Sequence, residues 1–413
     1  MADRTGIEWT DATWNPIVGC SVVSPGCTNC YAMKMAARIE AMQPGTHYSG
    51  TTQASKAGAV WTGKLALAPD SILTQPLRWR RPRKIFVNSM GDLFHEDAPD
   101  AWIDRVFAVM ALTPQHTYQV LTKRSARMRA YFSDPKQSAR IVIAMGEIII
   151  ASQGAEHGPY QGEAARLAAF RMRALDIIGP SGNLPLVLPN VWLGVSSEDQ
   201  RRADERVPDL LATPAAIRFV SAEPLLGPLD LTRVGTMASI RAAMPGLIER
   251  EERGRPREGN GSVSGFQIEA VGLAGSSIEY FQTPDHMGGF SAATPRRFDR
   301  LDLVIVGGEN GPRPMHPDWA RSLRDQCAAA GAAFFFKQWG SWEVAVDRER
   351  DDPDWRLDYH RKFVDAGATK WLNLDGGCGF HGERFHVMRR VGKRAAGRLL
   401  DGVEHNAMPE VRA

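Results

Sequence analysis

Six short runs of apolar, β-branched and aromatic residues punctuate this chain, most of them ending in polar residues and followed by a helical pattern. They are Lys84–Asn88, Tyr118–Leu121, Val191–Val195, Ile217–Val220, Leu303–Val306 and Ala333–Phe336, and a first strand is expected near Ile17–Gly19. Apolarity this continuous predicts strands buried on both faces, as in a parallel sheet covered by helices. The alternation of such strands with helices predicts an α/β protein built as a full or partial (β/α) barrel. Helices are expected at Tyr31–Met42, where strong helix formers run without Gly or Pro, and at Trp319–Ala330.

Two stretches break the rhythm and set the organisation. Residues 1–132 read as the first part of the barrel and 133–185 as a helical insertion, with helical patterns at Ala139–Ala151 and Gln161–Ile178. The barrel continues over 186–230. Residues 231–300, rich in Gly, Ser, Arg and Glu and without clear periodicity, read as an irregular, partly mobile insertion of the kind that serves as a lid or a substrate-specific elaboration. Residues 301–413 supply the last barrel strands and a C-terminal helix.

Composition narrows the class without naming a partner. With 43% hydrophobic and 23% charged residues, the 413-residue chain has ample material for a core. A formal charge of +3 is too small for bulk attraction to nucleic acid, so any basic footprint is local. No run approaches the roughly 18 apolar residues of a membrane span. Asp3, Arg4 and Glu8 stand where a secretory signal would place its apolar segment, so a cytoplasmic protein is expected, in a bacterial host or phage-infected cell.

The cysteines carry the chemistry. Of five, Cys20, Cys27 and Cys30 fall in a C-x6-C-x2-C cluster, while Cys327 and Cys378 stand far away. In a reducing compartment an odd count with three clustered thiols points to a metal or to catalysis rather than to disulfides. Three thiolates can hold three irons of a [4Fe-4S] cluster and leave the fourth open, whereas a closed zinc site needs a fourth protein ligand. Cys378 is a candidate for that fourth ligand, so both metals stay open on the residues alone. Cys327, inside a helical pattern, reads as a small core residue.

In a (β/α) barrel the site gathers at the carboxyl ends of the strands. Here those ends read Ser89-Met-Gly-Asp92, Thr122-Lys-Arg124, Ser196-Ser-Glu198, Ser221-Ala-Glu-Pro224, Gly307-Gly-Glu-Asn310 and Lys337-Gln-Trp339. Glu223 and Lys337 are the catalytic candidates, with Glu223 readable also as a structural cap. Trp339 and Trp342 are candidates for lining the mouth. No H-E-x-x-H, G-x-S-x-G or phosphate-binding loop is present. Arg78, Trp79, Arg80, Arg81, Arg83 and Lys84 form a basic segment with an aromatic inside it, suited to tracking phosphates and stacking a base, or simply to a solvated strand flank. A second cluster, Arg389–Arg398, reads better as the cationic end of a helix.

Taken as an ordered set, Trp14-Asn-Pro-Ile-Val-Gly-Cys20, Cys27-Thr-Asn-Cys-Tyr-Ala32, Asn88-Ser-Met-Gly-Asp-Leu-Phe94, Val195-Ser-Ser-Glu198, Ser221-Ala-Glu-Pro-Leu225, Gly307-Gly-Glu309, Phe336-Lys-Gln-Trp339 and Lys393-Arg-Ala-Ala-Gly-Arg-Leu-Leu-Asp-Gly402 resemble the phage-associated three-cysteine-motif proteins. That family in turn is similar to radical S-adenosylmethionine (SAM) enzymes, whose partial TIM-like barrel carries a three-cysteine loop after its first strand. The usual spacing there is C-x3-C-x2-C with an aromatic before the last cysteine. This chain has the longer first spacing, Asn29 before Cys30, and Tyr31 one place later.

The resemblance implies that Cys20, Cys27 and Cys30 ligate a [4Fe-4S] cluster, and that SAM is cleaved reductively to a 5'-deoxyadenosyl radical. It implies further that Met90, Gly91 and Asp92 bind the SAM amino group, Lys123 its carboxylate, and Ser196 or Glu198 the ribose hydroxyls. The expected substrate is a nucleobase in nucleic acid or a nucleotide, modified or repaired. The alternatives are radical chemistry on a peptide or small metabolite, and a non-catalytic, zinc-stabilised nucleic-acid-binding phage protein. Expected partners are an electron donor such as flavodoxin or ferredoxin and a phage-encoded protein, with no membrane.

Overall fold

The computed structural model describes residues 5–153, 187–232, 234, 276–277, 297–298, 300–347, 368–375 and 386–410. Seven strands lie in one sheet in chain order: β1 (Ala12–Trp14), β2 (Lys84–Val87), β3 (Thr117–Thr122), β4 (Val191–Ser196), β5 (Ile217–Ala222), β6 (Leu303–Gly307) and β7 (Ala333–Gln338). Strands β1 to β5 pair successively in parallel, as do β6 and β7. Between them run α1 (Tyr31–Met42), α2 (Asp100–Ala111), α3 (Ser125–Ser133), α4 (Gln137–Gln153), α5 (Gln200–Ala212) and α6 (Pro317–Ala330). Parallel strands in chain order with intervening helices are the topology of a partial (β/α) barrel. Among the described residues no helix is long and apolar enough to cross a membrane.

The strand runs expected from the sequence each reappear within a residue or two, because strands buried on both faces are predominantly apolar. Burial is complete along β4, β5 and β6. The first strand is a correction. It is Ala12–Trp14 that pairs with β2, whereas Ile17–Val18 pairs antiparallel with Ala66–Leu67 outside the sheet. Pro16 has no N–H to give to a ladder, so the chain leaves the sheet there. The helical pattern at Ala139–Ala151 is the core of α4, and the one at Gln161–Ile178 lies outside the described residues, as does almost all of 231–300.

The chain divides into two compact units: Met1–Ser196 with Thr213–Ser221 and Glu410–Ala413, and Ser197–Ala212 with Ala222–Pro409. In the first, Phe94, Phe107, Tyr131 and Phe132 form a ring cluster with centroids 5.4–6.5 Å apart, tying the segment after β2 to α2 and α3. A Cβ on Gly194 would stand 2.5 Å from the Phe219 ring, so this small residue is what lets β4 lie against the aromatic of β5.

In the second unit α6 begins on Pro317, whose fixed φ suits a first helical position, and is capped by His316 accepting the Asp318 N–H. It ends on Gly331 at φ +64°, the left-handed turn that glycine adopts without strain. The C-terminal region departs from expectation. It holds a three-stranded antiparallel sheet, with His386–Arg390 between Trp342–Asp347 and Thr369–Leu372, and the helix is only the four residues Lys393–Ala396. Trp342 is fully buried and Trp339 nearly so, their indoles donating to the carbonyls of Gly311 and Leu399, so both are core rather than mouth residues. Cys327 is buried as expected, and burial pushes its thiol up to about 12.

Candidate metal centre

The cysteine loop hangs from the carboxyl end of the sheet in the first unit. Gly19 bridges Gly91 in parallel fashion, its N–H donating to the Met90 carbonyl at 3.1 Å. Gly19 sits at φ +93°, and a Cβ there would meet the Lys64 carbonyl oxygen at 2.1 Å, so only glycine makes this passage. Asn15 and Asn88 fix the other side. Asn15 Oδ1 accepts the Met90 N–H at 3.0 Å and the Ser89 hydroxyl at 3.1 Å, and Asn88 Oδ1 accepts the Ile17 N–H at 3.3 Å.

From Gly19 the chain passes Cys20, makes one 3-10 turn over Pro25–Cys27 and enters α1 directly after Cys30. Cys27 is buried, and Cys20 and Cys30 are half-buried against a core of Val18, Ala32, Met33, Ala36, Tyr48, Trp61 and Met90. Ser24 Oγ lies 3.8 Å from Cys27 Sγ. Three thiols thus lie on one short loop, and thiolates are ligands of the kind that soft metals take.

Arg124, just beyond β3 in the strand end Thr122-Lys-Arg124, was given no role by the sequence and is the centre of the loop's polar wall. Nη1 donates to Asp92 Oδ2 at 3.0 Å and to Cys20 Sγ at 3.5 Å, Nε to Glu96 at 2.9 Å, and Nη2 to the Ser21 hydroxyl at 2.7 Å and carbonyl at 3.2 Å. The fork is planar and the five acceptors, from four residues, lie around its rim, a task that lysine's point charge does not perform. Asp92, Cys20 and Glu96 outweigh burial and hold the guanidinium firmly protonated. Burial lifts the Cys20 thiol to about 12, with Asp92 adding and Arg124 opposing. His95 Nε2 stands 2.9 Å from the Ser21 hydroxyl, and burial, then Arg124, holds its pKa below the usual value.

The residues expected to hold SAM divide. Met90 and Gly91 join the cysteine loop through their backbones. Asp92 is buried and fully engaged, Oδ1 accepting the Phe94 N–H and the Thr122 hydroxyl, and Oδ2 the Lys123 N–H and Arg124. Its expected contact with an ammonium is corrected to a structural one, since its lone pairs already have partners. Lys123 follows at the same edge with a half-buried side chain. Glu198 is likewise corrected: it is 1% exposed and paired with Arg206 at 3.0 Å, which fixes α5. Ser196, closing β4, is buried too.

The basic segment does not join this site. Arg78 to Arg83 precede β2 and Lys84 opens it, at the amino end of a strand whose carboxyl end faces the cysteine loop. Arg83 covers the Trp79 ring at 4.8 Å and His116 meets it edge-on at 6.0 Å, so that indole is partly occupied, while Arg80 and Arg81 are exposed.

In the second unit Glu223 and Lys337 meet, as two strand ends in one sheet allow. Lys337 Nζ is 2.7 and 2.9 Å from the two carboxylate oxygens. Glu223, at the end of β5, crosses β6 to reach β7. A Cβ on Gly307 would stand 3.2 Å from the Glu223 carboxyl carbon, so the glycine makes room for that crossing.

One group of three ligand-type side chains has its ligand atoms all within 4.8 Å among the described residues, and it is not the cysteines. Cys378, the candidate fourth zinc ligand, lies outside the described residues.

Fold and site together define an α/β protein with a partial-barrel sheet and a three-thiol loop at its carboxyl end. The chain belongs to the family described as protein of unknown function (DUF5131), whose profile matches residues 4–409. Neither the curated proteins nor the solved structures contain a match to it.

Proposed function

We propose that this protein is a radical-SAM-like [4Fe-4S] enzyme. The observation that carries the reading is the position of Cys20, Cys27 and Cys30: a three-thiol loop between the first strand of a parallel sheet and its first helix, walled by a buried cation. Such a cluster supplies one electron to the sulfonium of SAM, giving methionine and a 5'-deoxyadenosyl radical that takes hydrogen from a substrate.

The chain's own residues prepare that chemistry. Arg124 offsets the negative charge that three thiolates bring into a half-buried loop and donates directly to one sulfur, which favours the reduced state. Met33, Ala36, Tyr48 and Trp61 keep water from the inner side of the loop. Lys123, at the same edge as Arg124, is the candidate for the SAM carboxylate, and the Met90–Gly91 backbone lines the loop's other flank.

For the substrate, a nucleobase in nucleic acid or a nucleotide is proposed. Arg80 and Arg81 would hold phosphates at the amino end of β2, so they anchor a polymer and do not present a base to the loop. That placement favours a peptide or small metabolite as the second reading. An external electron donor, flavodoxin or ferredoxin, is required in either case.

The test is an anaerobic assay with SAM and dithionite, following 5'-deoxyadenosine. Formation by the reconstituted wild type and its loss in Cys27→Ala supports the reading, and none from iron-loaded protein overturns it. For the substrate, binding to a single-stranded oligonucleotide is measured against salt. A steep fall that becomes shallower by about two in logarithmic slope in Arg80→Ala/Arg81→Ala supports nucleic acid, and salt-independent binding or none favours the second reading.

A further inference from the structure

Of the ten large apolar side chains that stand exposed among the described residues, five lie between positions 22 and 42, the stretch that carries Cys27 and Cys30. Apolar groups gathered on a folded surface mark a place where something docks. Resting on the iron–sulfur reading above, we infer that this stretch is the docking face for an acidic electron-transfer protein, a flavodoxin or a ferredoxin. A single electron passes from the donor's reduced centre to the oxidised cluster, so the donor is oxidised and the cluster reduced by one, and no bond forms or breaks.

The face has a helical period. Tyr31, Met35, Arg38 and Met42 follow one another at spacings of four, three and four, so they line one side of α1. Their stripe runs about 16 Å along the helix from the end of the cysteine loop. Ala32, Met33 and Ala36 turn the opposite side into the core. The Tyr31 hydroxyl donates to the Ser89 carbonyl at 3.0 Å, which pins the first turn of α1 to the segment after β2. Val22 and Val23 add an apolar pair from the loop itself, between Cys20 and Cys27. These two valines with Tyr31, Met35 and Met42 are 41–68% exposed. Tyr, Met and Arg are the residues that protein–protein interfaces favour, whereas an ordinary solvated face is rich in Lys and Glu.

Charge selects the kind of partner. From Cys20 to Met42 the only charged side chains are Lys34, Arg38 and Glu40. Lys34 and Arg38 are exposed, and among the described residues neither pairs with an acid. Glu40 lies on the other side of the helix, its carboxylate accepting the Gly50 N–H at 2.9 Å. Two cations with no acid beside them attract an acidic partner and repel a basic one. Apolar side chains outnumber the cations, which suits a protein surface better than a phosphate backbone.

The test uses the reconstituted full chain, wild type beside Lys34→Glu/Arg38→Glu and Met35→Asp, all changes at exposed positions. Affinity for oxidised flavodoxin and for oxidised ferredoxin is measured by calorimetry at low and high salt. The rates at which the reduced donor and dithionite bleach the visible absorbance are measured alongside. The wild type should bind one of the two donors, more weakly as salt rises. Both variants should bind that donor about 10-fold or more weakly and be reduced by it correspondingly slowly, with dithionite bleaching unchanged in all three. A wild type that dithionite bleaches but that binds neither donor overturns the docking face alone, as does equal binding in the variants. Loss in the variants of oligonucleotide binding or of self-association, with donor binding intact, overturns it too. A wild type with no iron that dithionite bleaches removes the iron–sulfur reading, and the docking face with it.

Discussion

Replacing Arg124 by Ala is the most informative single perturbation of the cysteine loop. The guanidinium and its partner Asp92 have side chains only 4% and 7% exposed and meet at 3.0 Å. Removing one member of a buried pair costs about 3–5 kcal/mol, because the other charge is left uncompensated. Asp92 keeps the Phe94 and Lys123 N–H groups and the Thr122 hydroxyl, which places the loss near the lower figure, about 3 kcal/mol. Glu96 adds little, since its side chain is 60% exposed and solvent screens the contact. At about 2–4 °C per kcal/mol, the melting temperature should fall by about 6–12 °C. Arg124→Lys keeps the charge but loses the fork, so an intermediate loss is expected. Denaturant unfolding of Arg124→Leu, Asp92→Asn and the double variant measures the coupling, expected to be about 2 kcal/mol or more. Additive losses, or a loss below about 1 kcal/mol in Arg124→Ala, would refute this account of the loop's polar wall.

Gly19→Ala should lower iron retention sharply while leaving the far-ultraviolet dichroism near wild type, since the new methyl meets the Lys64 carbonyl in the turn that launches the loop; unchanged iron per chain would contradict it. Lys337→Met and Glu223→Gln each leave one half-buried charge without its partner, so each should cost about 1–3 kcal/mol, the pair less than the sum, with iron content untouched in all three. A fall in iron content would show that the pair serves the cysteine loop. Burial holds the pKa values of His47, His95 and His116 below their usual 6.5 in the folded protein. The unfolded chain then binds more protons once the pH drops below about 6.5, so stability is level above that value and declines below it. Melting at pH 5.5 should come several degrees lower than at pH 7.5, and an equal or higher value falsifies the reasoning.

What could be read in the sequence follows from what is local. The runs at Val191, Ile217 and Leu303 became β4, β5 and β6 because burial on both faces favours apolar residues, and the buried Arg218 of β5 is held by the Thr213 carbonyl. Helix α1 was legible because nothing from Tyr31 to Met42 breaks it. The three cysteines were legible as a cluster from spacing alone, and the structure carries them on one loop between Gly19 and α1. What escaped was long-range. Ala12–Trp14 is a three-residue strand, too short to have a period, and Ile17–Val18 next to it looked more apolar. Arg124 was one basic residue among 50 Lys and Arg until the fold brought it to Asp92 and Cys20, 32 and 104 positions away. Asp92 and Glu198 had the right chemistry for a ligand, but the sequence could not reveal that buried arginines already hold them. The basic segment before β2 illustrates the same limit: its composition suits phosphate, while only the direction of the strand puts it at the end away from the thiols.

The most direct test of the central claim is the metal content and visible spectrum of protein purified and reconstituted without oxygen, beside a variant with Cys20, Cys27 and Cys30 all changed to Ala. The account predicts about four irons per chain with a broad brown absorbance near 400 nm, both lost in the variant. A colourless wild type that takes up zinc on these thiols and no iron would contradict it.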